Sequence, residues 1–277
     1  MKIYISADME GTAGVCSWAQ VDPSNTHEYP IYRRYMTREV RAAIDGARDG
    51  GGNEFLVNDS HWNMRNLLWD ELPDDVRMIS GARKPLSMAQ GAKQRFDAAF
   101  FTGYHAKIGD ANAVLSHTYS DETLYDVRIN GTPCTEALLN AAILGLYGTP
   151  LVLVTGDRTT VESVRAALPW VVGVVVKDAI GYYGANSLTP VAACAAIRDG
   201  AREALAALPR AKAFTFAAPI ELVIETVKTA QADFMELLPR VERIGGRTVR
   251  FRHDDYLTVF QTFLAAMRLG GAANLPA

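Results

Sequence analysis

The chain of 277 residues is 49% hydrophobic and 21% charged, which is ordinary for a globular enzyme built as one large domain or two lobes. A formal net charge of −3 and the lack of any basic tract exclude the electrostatic signature of a nucleic-acid-binding protein. The longest apolar run, residues 171–176, is far shorter than the roughly 18 residues of a membrane-spanning helix.

The amino-terminal segment and the cysteines predict a cytoplasmic protein. The first residues lead directly into a strand and carry no apolar core of the kind found in secretory signals. Cys16, Cys134 and Cys194 are scattered without CxxC spacing, and an odd, sparse set of thiols is typical of a reducing compartment.

Strand-like and helix-like segments alternate along the chain, which predicts an α/β fold with a mixed, largely parallel sheet flanked by helices and a second, smaller α+β lobe on the C-terminal side. After an opening strand within residues 1–10, strands are expected at residues 54–58, 77–80, 97–102, 124–129, 150–155, 171–177, 220–227, 240–244 and 248–252. Helices are expected at residues 32–48, 87–95, 135–147, 160–168, 190–208 and 254–269. Asn130-Gly131 predicts a hairpin turn. Because no linker divides residues 1–277, the chain is expected to be one unit with soft lobes of about 1–170 and 171–277.

Acidic and histidine side chains stand at the ends of three early strands. Asp8 and Glu10 close the first strand, and because strand side chains alternate, both project in the same direction. His61 and His105 follow the second strand and the strand at 97–102. If these strands are parallel neighbours, all four groups reach the carboxyl edge of the sheet, where α/β proteins bind ligands. Two carboxylates in one small volume repel each other unless a cation lies between them, so we expect a metal here.

The helix after the hairpin adds to this candidate site. Glu136 supplies a third carboxylate, and Asn140 lies one turn further along the same helix face. Three carboxylates and two imidazoles suit zinc, and also manganese or cobalt. These five ligands exceed the three that one catalytic zinc takes from a protein, which favours two metals about 3.5–4 Å apart with a bridging carboxylate. Each residue alone has a structural explanation, such as a helix cap or a hydrogen-bonding histidine, so the prediction depends on their co-location.

Two features near Glu10 indicate other chemistry less strongly. Cys16 would need a histidine base to act as a nucleophile, so a buried or loop thiol is the simpler interpretation. Gly11-Thr-Ala-Gly14 lacks the lysine of a phosphate-binding loop and the glycine spacing of a dinucleotide site. We expect its small residues to let the backbone pass close to the metals.

Six short motifs occur in order along the chain. They are Asp8-Met-Glu10-Gly11, Val57-Asn-Asp-Ser-His61, Ser80-Gly81 with Lys84-Pro85, Gly103-Tyr-His105-Ala106, Ser116-His117 and Glu136-Ala-Leu-Leu-Asn140. Together they resemble the zinc-dependent D-aminopeptidase family, first named as a dipeptide-transport protein. The resemblance covers most of the chain and continues more weakly through Gly156-Asp157, Lys177 and Leu188-Thr-Pro190.

The resemblance implies a dinuclear zinc site with Asp8 as the bridge. Its ligands would be Asp8, Glu10, His61, His105 and Glu136. His117 would be a catalytic residue outside the ligand set, and Asn140 is a candidate substrate contact. The family's activity would be the release of N-terminal D-amino acids from short peptides such as D-Ala-D-Ala, in a ring-shaped decamer that encloses the active sites.

Two other functions remain open from the residues themselves. One is a metal-dependent hydrolase of another bond, an amidase or a phosphoesterase, for which Arg65 and Arg83 are candidate phosphate ligands. The other is a non-catalytic, peptide-binding accessory of a transporter, which has no need of five metal ligands. The segments 106–113 and 119–125 are expected to face substrate, but no residue in them can be assigned to chirality or side-chain specificity.

Overall fold

A computed structural model describes residues 1–274 of the chain. These residues form the strands β1 (Lys2–Ala7), β2 (Glu54–Asp59), β3 (Val76–Ile79), β4 (Ala98–Tyr104), β5 (Leu124–Ile129), β6 (Thr132–Pro133), β7 (Leu151–Asp157), β8 (Val172–Gly181), β9 (Gly184–Ser187), β10 (Ile220–Thr226), β11 (Glu242–Gly245) and β12 (Thr248–His253). Their α-helices are α1 (Trp18–Val21), α2 (Tyr29–Asp49), α3 (Glu136–Leu146), α4 (Arg158–Ala167), α5 (Pro190–Ala206), α6 (Thr229–Met235) and α7 (Tyr256–Ala272). None of the described helices combines the length and apolar character needed to cross a membrane.

The strands form two sheets. The larger sheet has the order β3-β2-β1-β4-β7-β8-β9 and is parallel except at its edge, where β9 runs antiparallel to β8. The smaller sheet has the order β11-β12-β10-β5-β6 and is antiparallel. The predicted fold class is therefore confirmed. The lobe boundary near residue 170 stays a prediction, and the sheets themselves interleave along the chain: β8 belongs to the larger sheet, whereas β5 and β6 belong to the smaller one.

Strand β1 lies at the centre of the larger sheet, and its two faces pack in different cores. Ile3 and Ile5 are fully buried on the face covered by α2 and α5. Tyr4 is fully buried on the other face, in the core that contains residues of α3, α7 and the smaller sheet. Full burial of an isoleucine contributes roughly 1.5–3 kcal/mol. Because both faces of β1 are covered, the polar residues that follow it can only emerge at the end of the strand.

Several helix ends carry residues that favour them, although α2 begins three residues before the predicted start at residue 32. The Thr135 hydroxyl accepts a hydrogen bond of 3.1 Å from the backbone N–H of Leu138, which caps the start of α3. Pro30 lies in the first turn of α2, where a missing N–H costs nothing, and Gly50 ends the helix. Asn130 and Gly131 both have positive φ and connect the antiparallel strands β5 and β6, as the hairpin signal predicted.

The helix predicted at residues 87–95 is wrong. Two separate 3₁₀ segments, Ser87–Ala89 and Ala92–Gln94, occupy this stretch. Gly91 between them has a left-handed φ of 104°, which interrupts a right-handed helix. A Cβ at Gly91 would lie 2.8 Å from the side chain of Leu56, so only glycine allows this close packing. The helices α1 and α6 and the strand β9 were not predicted.

Candidate metal centre

The five predicted ligands meet at the carboxyl edge of the larger sheet. β1 is hydrogen-bonded in parallel to β2 on one side and to β4 on the other, so the segments that follow these strands share one edge. The first residue of α3 supplies the fifth side chain. All five side chains are at most 3% exposed: Asp8, Glu10, His61, His105 and Glu136.

Asp8 lies between two imidazole–carboxylate pairs. His61 Nδ1 is 3.0 Å from Glu10 Oε2 and 3.3 Å from Asp8 Oδ1. His105 Nε2 is 3.3 Å from Glu136 Oε1 and 3.5 Å from Asp8 Oδ2. Two ligand atoms that share one tetrahedral zinc lie roughly 3.4 Å apart, given zinc–ligand distances of about 2.0–2.2 Å. The separations within each group therefore fit a shared cation.

The backbone fixes which nitrogen of each histidine faces the carboxylates. His61 Nε2 is 2.8 Å from the carbonyl oxygen of Val21, and His105 Nδ1 is 2.9 Å from that of Ala106. Because a carbonyl oxygen only accepts, we infer that these nitrogens carry the hydrogen. The other nitrogen of each ring then presents a lone pair to carboxylate oxygens, an arrangement that is repulsive without a proton or a metal between them. Backbone partners on the far nitrogen are typical of histidine metal ligands.

Charge in this buried cluster is unbalanced. Burial first, and then the neighbouring Glu10, raise the pKa of Asp8 to about 8, and the Oδ2 atom of Asp8 has no hydrogen-bond partner among the described residues. Burial opposes the charge on His61, but the adjacent Glu10 and Asp8 together outweigh it and raise the pKa of that imidazole well above its usual value. Protons are thus strongly held between these groups. A metal ion would occupy the same position with more charge, so the donor set fits a cation site.

His117 lies beside the cluster. Its ring stacks on His105 with centroids 3.9 Å apart, and its Nε2 is 3.9 Å from Glu136 Oε1. Its Nδ1 is 2.8 Å from the carbonyl oxygen of Leu115, so the hydrogen is on Nδ1 and Nε2 is a free acceptor. Burial, together with the charge of His105, lowers the pKa of His117. Ligand atoms of His105, His117 and Glu136 lie within 4.8 Å of one another, so the geometry accommodates His117 either as a base or as a ligand.

Asn140 is buried one helical turn beyond Glu136. Its Oδ1 accepts a hydrogen bond of 2.9 Å from the Tyr119 hydroxyl, while the backbone N–H of Tyr119 donates to Glu136 Oε1 at 2.6 Å. Tyr119 is part of the cavity lining in front of the cluster, whereas Asn140 is not. The contacts of Asn140 are therefore those of a residue that positions Tyr119, which in turn contacts Glu136.

Two buried charged residues hold the loop that carries Glu10, and the sequence did not assign them a role. Lys177, from β8, donates to the backbone carbonyls of Glu10, Thr12 and Val15 at 2.5, 2.9 and 2.8 Å. Glu39, from α2, accepts from the backbone N–H of Ala13 at 2.8 Å. One signal was available for Lys177, since it directly follows the apolar run of residues 171–176.

Glycine is required where this loop passes the neighbouring strand. A Cβ on Gly11 would lie 2.0 Å from the carbonyl oxygen of Tyr104. A Cβ on Gly103, which has a φ of 67°, would lie 2.2 Å from the carbonyl oxygen of Asp8. The prediction that the small residues of Gly11–Gly14 let the backbone pass close to the metals stays a prediction; the close approach seen at Gly11 is to the backbone of β4.

The cluster opens into a cavity of about 450 Å³, a size that suits a small organic ligand. Its lining includes Trp18, Trp62, Met64, Arg83, Met88, Tyr119, Ser120, Asp121, Glu122, Met267 and Arg268. Of the two segments expected to face substrate, 119–125 contributes to this lining, whereas residues 106–113 do not. Arg83 lines the cavity, but Arg65, the other candidate phosphate ligand, does not.

Comparison with known proteins gives the family. A family model described as D-aminopeptidase matches residues 1–265. The chain belongs to the D-aminopeptidase family. A curated D-aminopeptidase from Bacillus subtilis (strain 168) is 34% identical over 273 residues, which is 97% of each protein.

A solved structure extends this match to three dimensions. The Zn-dependent D-aminopeptidase DppA from Bacillus subtilis, described as a self-compartmentalizing protease, aligns with a TM-score of 0.95 and 32% identity over 100% of both chains. The predicted family and the predicted enzyme class, a hydrolase of the aminopeptidase type, are confirmed. Membership of the D-aminopeptidases argues against the alternative of a non-catalytic transporter accessory.

Proposed function

We propose that this protein is a dinuclear zinc aminopeptidase that removes the N-terminal residue of short peptides, with a preference for D-amino acids as in D-Ala-D-Ala. The position of Asp8 carries the proposal. Its Oδ1 lies 3.3 Å from His61 and its Oδ2 lies 3.5 Å from His105, so each carboxylate oxygen faces a different imidazole. One aspartate that serves two cation positions is what a bridged pair of metals needs.

The proposed ligands divide into two sets that share Asp8. Glu10 and His61 complete one set, and His105 and Glu136 complete the other. Two carboxylates and one imidazole in each set form a donor group that zinc accepts and that manganese or cobalt also accept. Zinc is proposed because the relative DppA is described as Zn-dependent.

Proton transfer in the proposed hydrolysis is assigned to residues of the chain. Two zinc ions, when bound, would activate water and polarise the scissile carbonyl. His117 Nε2 faces the cluster as an acceptor, so it would take a proton during attack and return it to the nitrogen of the leaving amine. The ring of Trp18 lies edge-on to His117 with centroids 5.3 Å apart, and both residues line the cavity. Trp18 would thereby keep the imidazole oriented and limit the access of bulk water.

We also propose that the protein forms a homo-oligomer, a decamer by its family resemblance. The description of DppA as self-compartmentalizing supports an assembly. In this chain the β8–β9 hairpin and the start of α5 expose apolar side chains: Ile180, Tyr183 and Val191 are 78%, 65% and 80% exposed. Large apolar side chains exposed to this extent are candidates for protein–protein contacts. The three free cysteines support a cytoplasmic location.

Metal analysis combined with turnover of paired D- and L-alanyl dipeptides tests the proposed activity. We expect faster release of alanine from D-Ala-D-Ala than from L-Ala-L-Ala. His61→Ala should lose metal and activity, whereas His27→Ala, a matched change at an exposed histidine, should keep both. A zinc-loaded protein that leaves both dipeptides and D-Ala amide intact would contradict the proposal. Hydrolysis of p-nitrophenyl phosphate without peptide cleavage would instead favour a phosphoesterase.

A further inference from the structure

Five non-glycine residues with a left-handed backbone line the cavity. They are Trp62, Met64, Arg83, Ser87 and Tyr119, with φ values of 49°, 57°, 63°, 47° and 59°. Asparagine and aspartate adopt this conformation readily, but these residue types do not. Such strain persists only where the surrounding structure enforces it, and it clusters at ligand sites. None of the five is a proposed metal ligand, so metal binding does not account for the strain in this part of the cavity lining.

The backbone around Arg83 is anchored on both sides. On one side, Gly81 N–H and Ser80 Oγ donate to the carbonyl oxygen of Met64 at 2.6 and 3.0 Å. On the other side, the buried Lys84 Nζ donates to Asn58 Oδ1 and to the carbonyl oxygen of Asp59 at 2.5 and 2.6 Å. Asn58 and Asp59 belong to β2, the strand that leads into His61. The base of the Arg83 side chain is therefore held in a fixed position relative to the metal ligands.

The guanidinium group of Arg83 is available to a ligand. Arg34, on the surface, pairs with Glu71 at 3.0 Å, but Arg83 makes no ion pair within residues 1–274. Arg268, on α7, lines the same cavity and is likewise unpaired within the described part of the chain. Two carboxylates, Asp121 and Glu122, also line the cavity, yet neither forms an ion pair with these arginines among the described residues.

We propose that Arg83 binds the C-terminal carboxylate of the substrate while the peptide bond after the first residue of the same peptide lies at the cluster of five proposed metal ligands. The inference rests on the proposed aminopeptidase function. A planar guanidinium group binds a carboxylate through two parallel hydrogen bonds, and Arg268 adds positive charge to the same cavity. A cavity of about 450 Å³ closed by such a contact selects short peptides with a free carboxyl end.

The test compares D-Ala-D-Ala with D-Ala-D-Ala amide, which lacks the terminal charge. We expect the wild-type enzyme to prefer the free acid in kcat/KM by about tenfold or more, the effect of one charge-assisted hydrogen-bonded contact. Arg83→Gln should abolish this preference, mainly by raising KM for the acid, and should leave the amide nearly unaffected. Arg83→Lys should restore part of the preference, because lysine keeps the charge but not the two-pronged geometry.

Arg77→Gln is the matched control, since Arg77 is an exposed arginine on β3 outside the cavity and its replacement removes the same charge. Its preference for the free acid should equal that of the wild type. Turnover of both substrates with no preference for the acid, or with a preference that Arg83→Gln leaves unchanged, would overturn the role of Arg83 while leaving the aminopeptidase function intact. A zinc-loaded wild type that cleaves neither substrate would overturn both.

Discussion

Replacement of Lys177 by methionine tests whether the loop that carries Glu10 is held by the buried ammonium group. The substitution leaves the buried carbonyl oxygens of Glu10 and Val15 without a donor, whereas that of Thr12 still accepts a hydrogen bond of 3.2 Å from the backbone N–H of Val15. An unsatisfied buried acceptor costs roughly 2 kcal/mol, or about 4 kcal/mol for the two. Burial lowers the pKa of Lys177 to about 8, so removal of its charge at pH 7 returns about 3 kcal/mol. The net expected loss of unfolding free energy is about 1 kcal/mol.

Urea denaturation of the metal-free protein measures this loss, and titration of the folded variant with zinc measures its effect on the site. We expect Lys177→Met to bind its weaker zinc ion at least several-fold less tightly than the wild type, because the Glu10 backbone is released. Lys212→Met, at an exposed lysine in the connector after α5, is the matched control and should change neither quantity. An unaltered urea midpoint together with unaltered zinc affinity in Lys177→Met would refute the assigned role of Lys177.

Three further changes have defined outcomes. Burial raises the pKa of Glu39 from 4.5 to about 7, so the folded state loses stability as the pH rises between these values. Glu39→Gln should therefore be more stable than the wild type by up to about 3 kcal/mol at pH 8 and equal to it at pH 4.5, and lower stability at pH 8 would contradict this. His117→Ala should lower kcat by about 10²–10⁴-fold while the bound zinc stays constant, and loss of zinc would make His117 a ligand instead. Gly103→Ala, whose Cβ would lie 2.2 Å from the carbonyl oxygen of Asp8, should unfold at markedly lower urea concentration, and a wild-type midpoint would show that the strands separate easily.

The elements that the sequence predicted best are those with strong local signals. The strands at 54–58 and 97–102 are apolar runs followed by polar residues, and both appear with nearly the predicted bounds, as β2 and β4. The pairing of β1 with both of them, in parallel, brings Asp8 to the same edge as the two histidines. Alternation along a strand and the rule that ligands bind at carboxyl ends were sufficient for this part of the site.

The missed features depend on contacts that are distant in sequence. Lys177 meets the carbonyl oxygen of Glu10 across 167 positions, and nothing local to either residue indicates that contact. The wrong helix at 87–95 has a similar cause, because the left-handed Gly91 is required by packing against Leu56, far away in the chain. The availability of Arg83 to a ligand likewise follows from the anchored loop around it. Propensity describes a segment, whereas these features are imposed by its neighbours in the fold.

The zinc content of three proteins tests the dinuclear site most directly. Wild type, Asp8→Asn and Glu10→Gln would each be saturated with zinc, desalted and analysed for metal per chain by mass spectrometry. We expect about two zinc ions in the wild type, because Asp8 faces two imidazoles from opposite sides of its carboxylate. Asp8→Asn should lose both ions, and Glu10→Gln should lose mainly one. One zinc per wild-type chain, or an Asp8→Asn protein that retains two, would contradict a site bridged by Asp8.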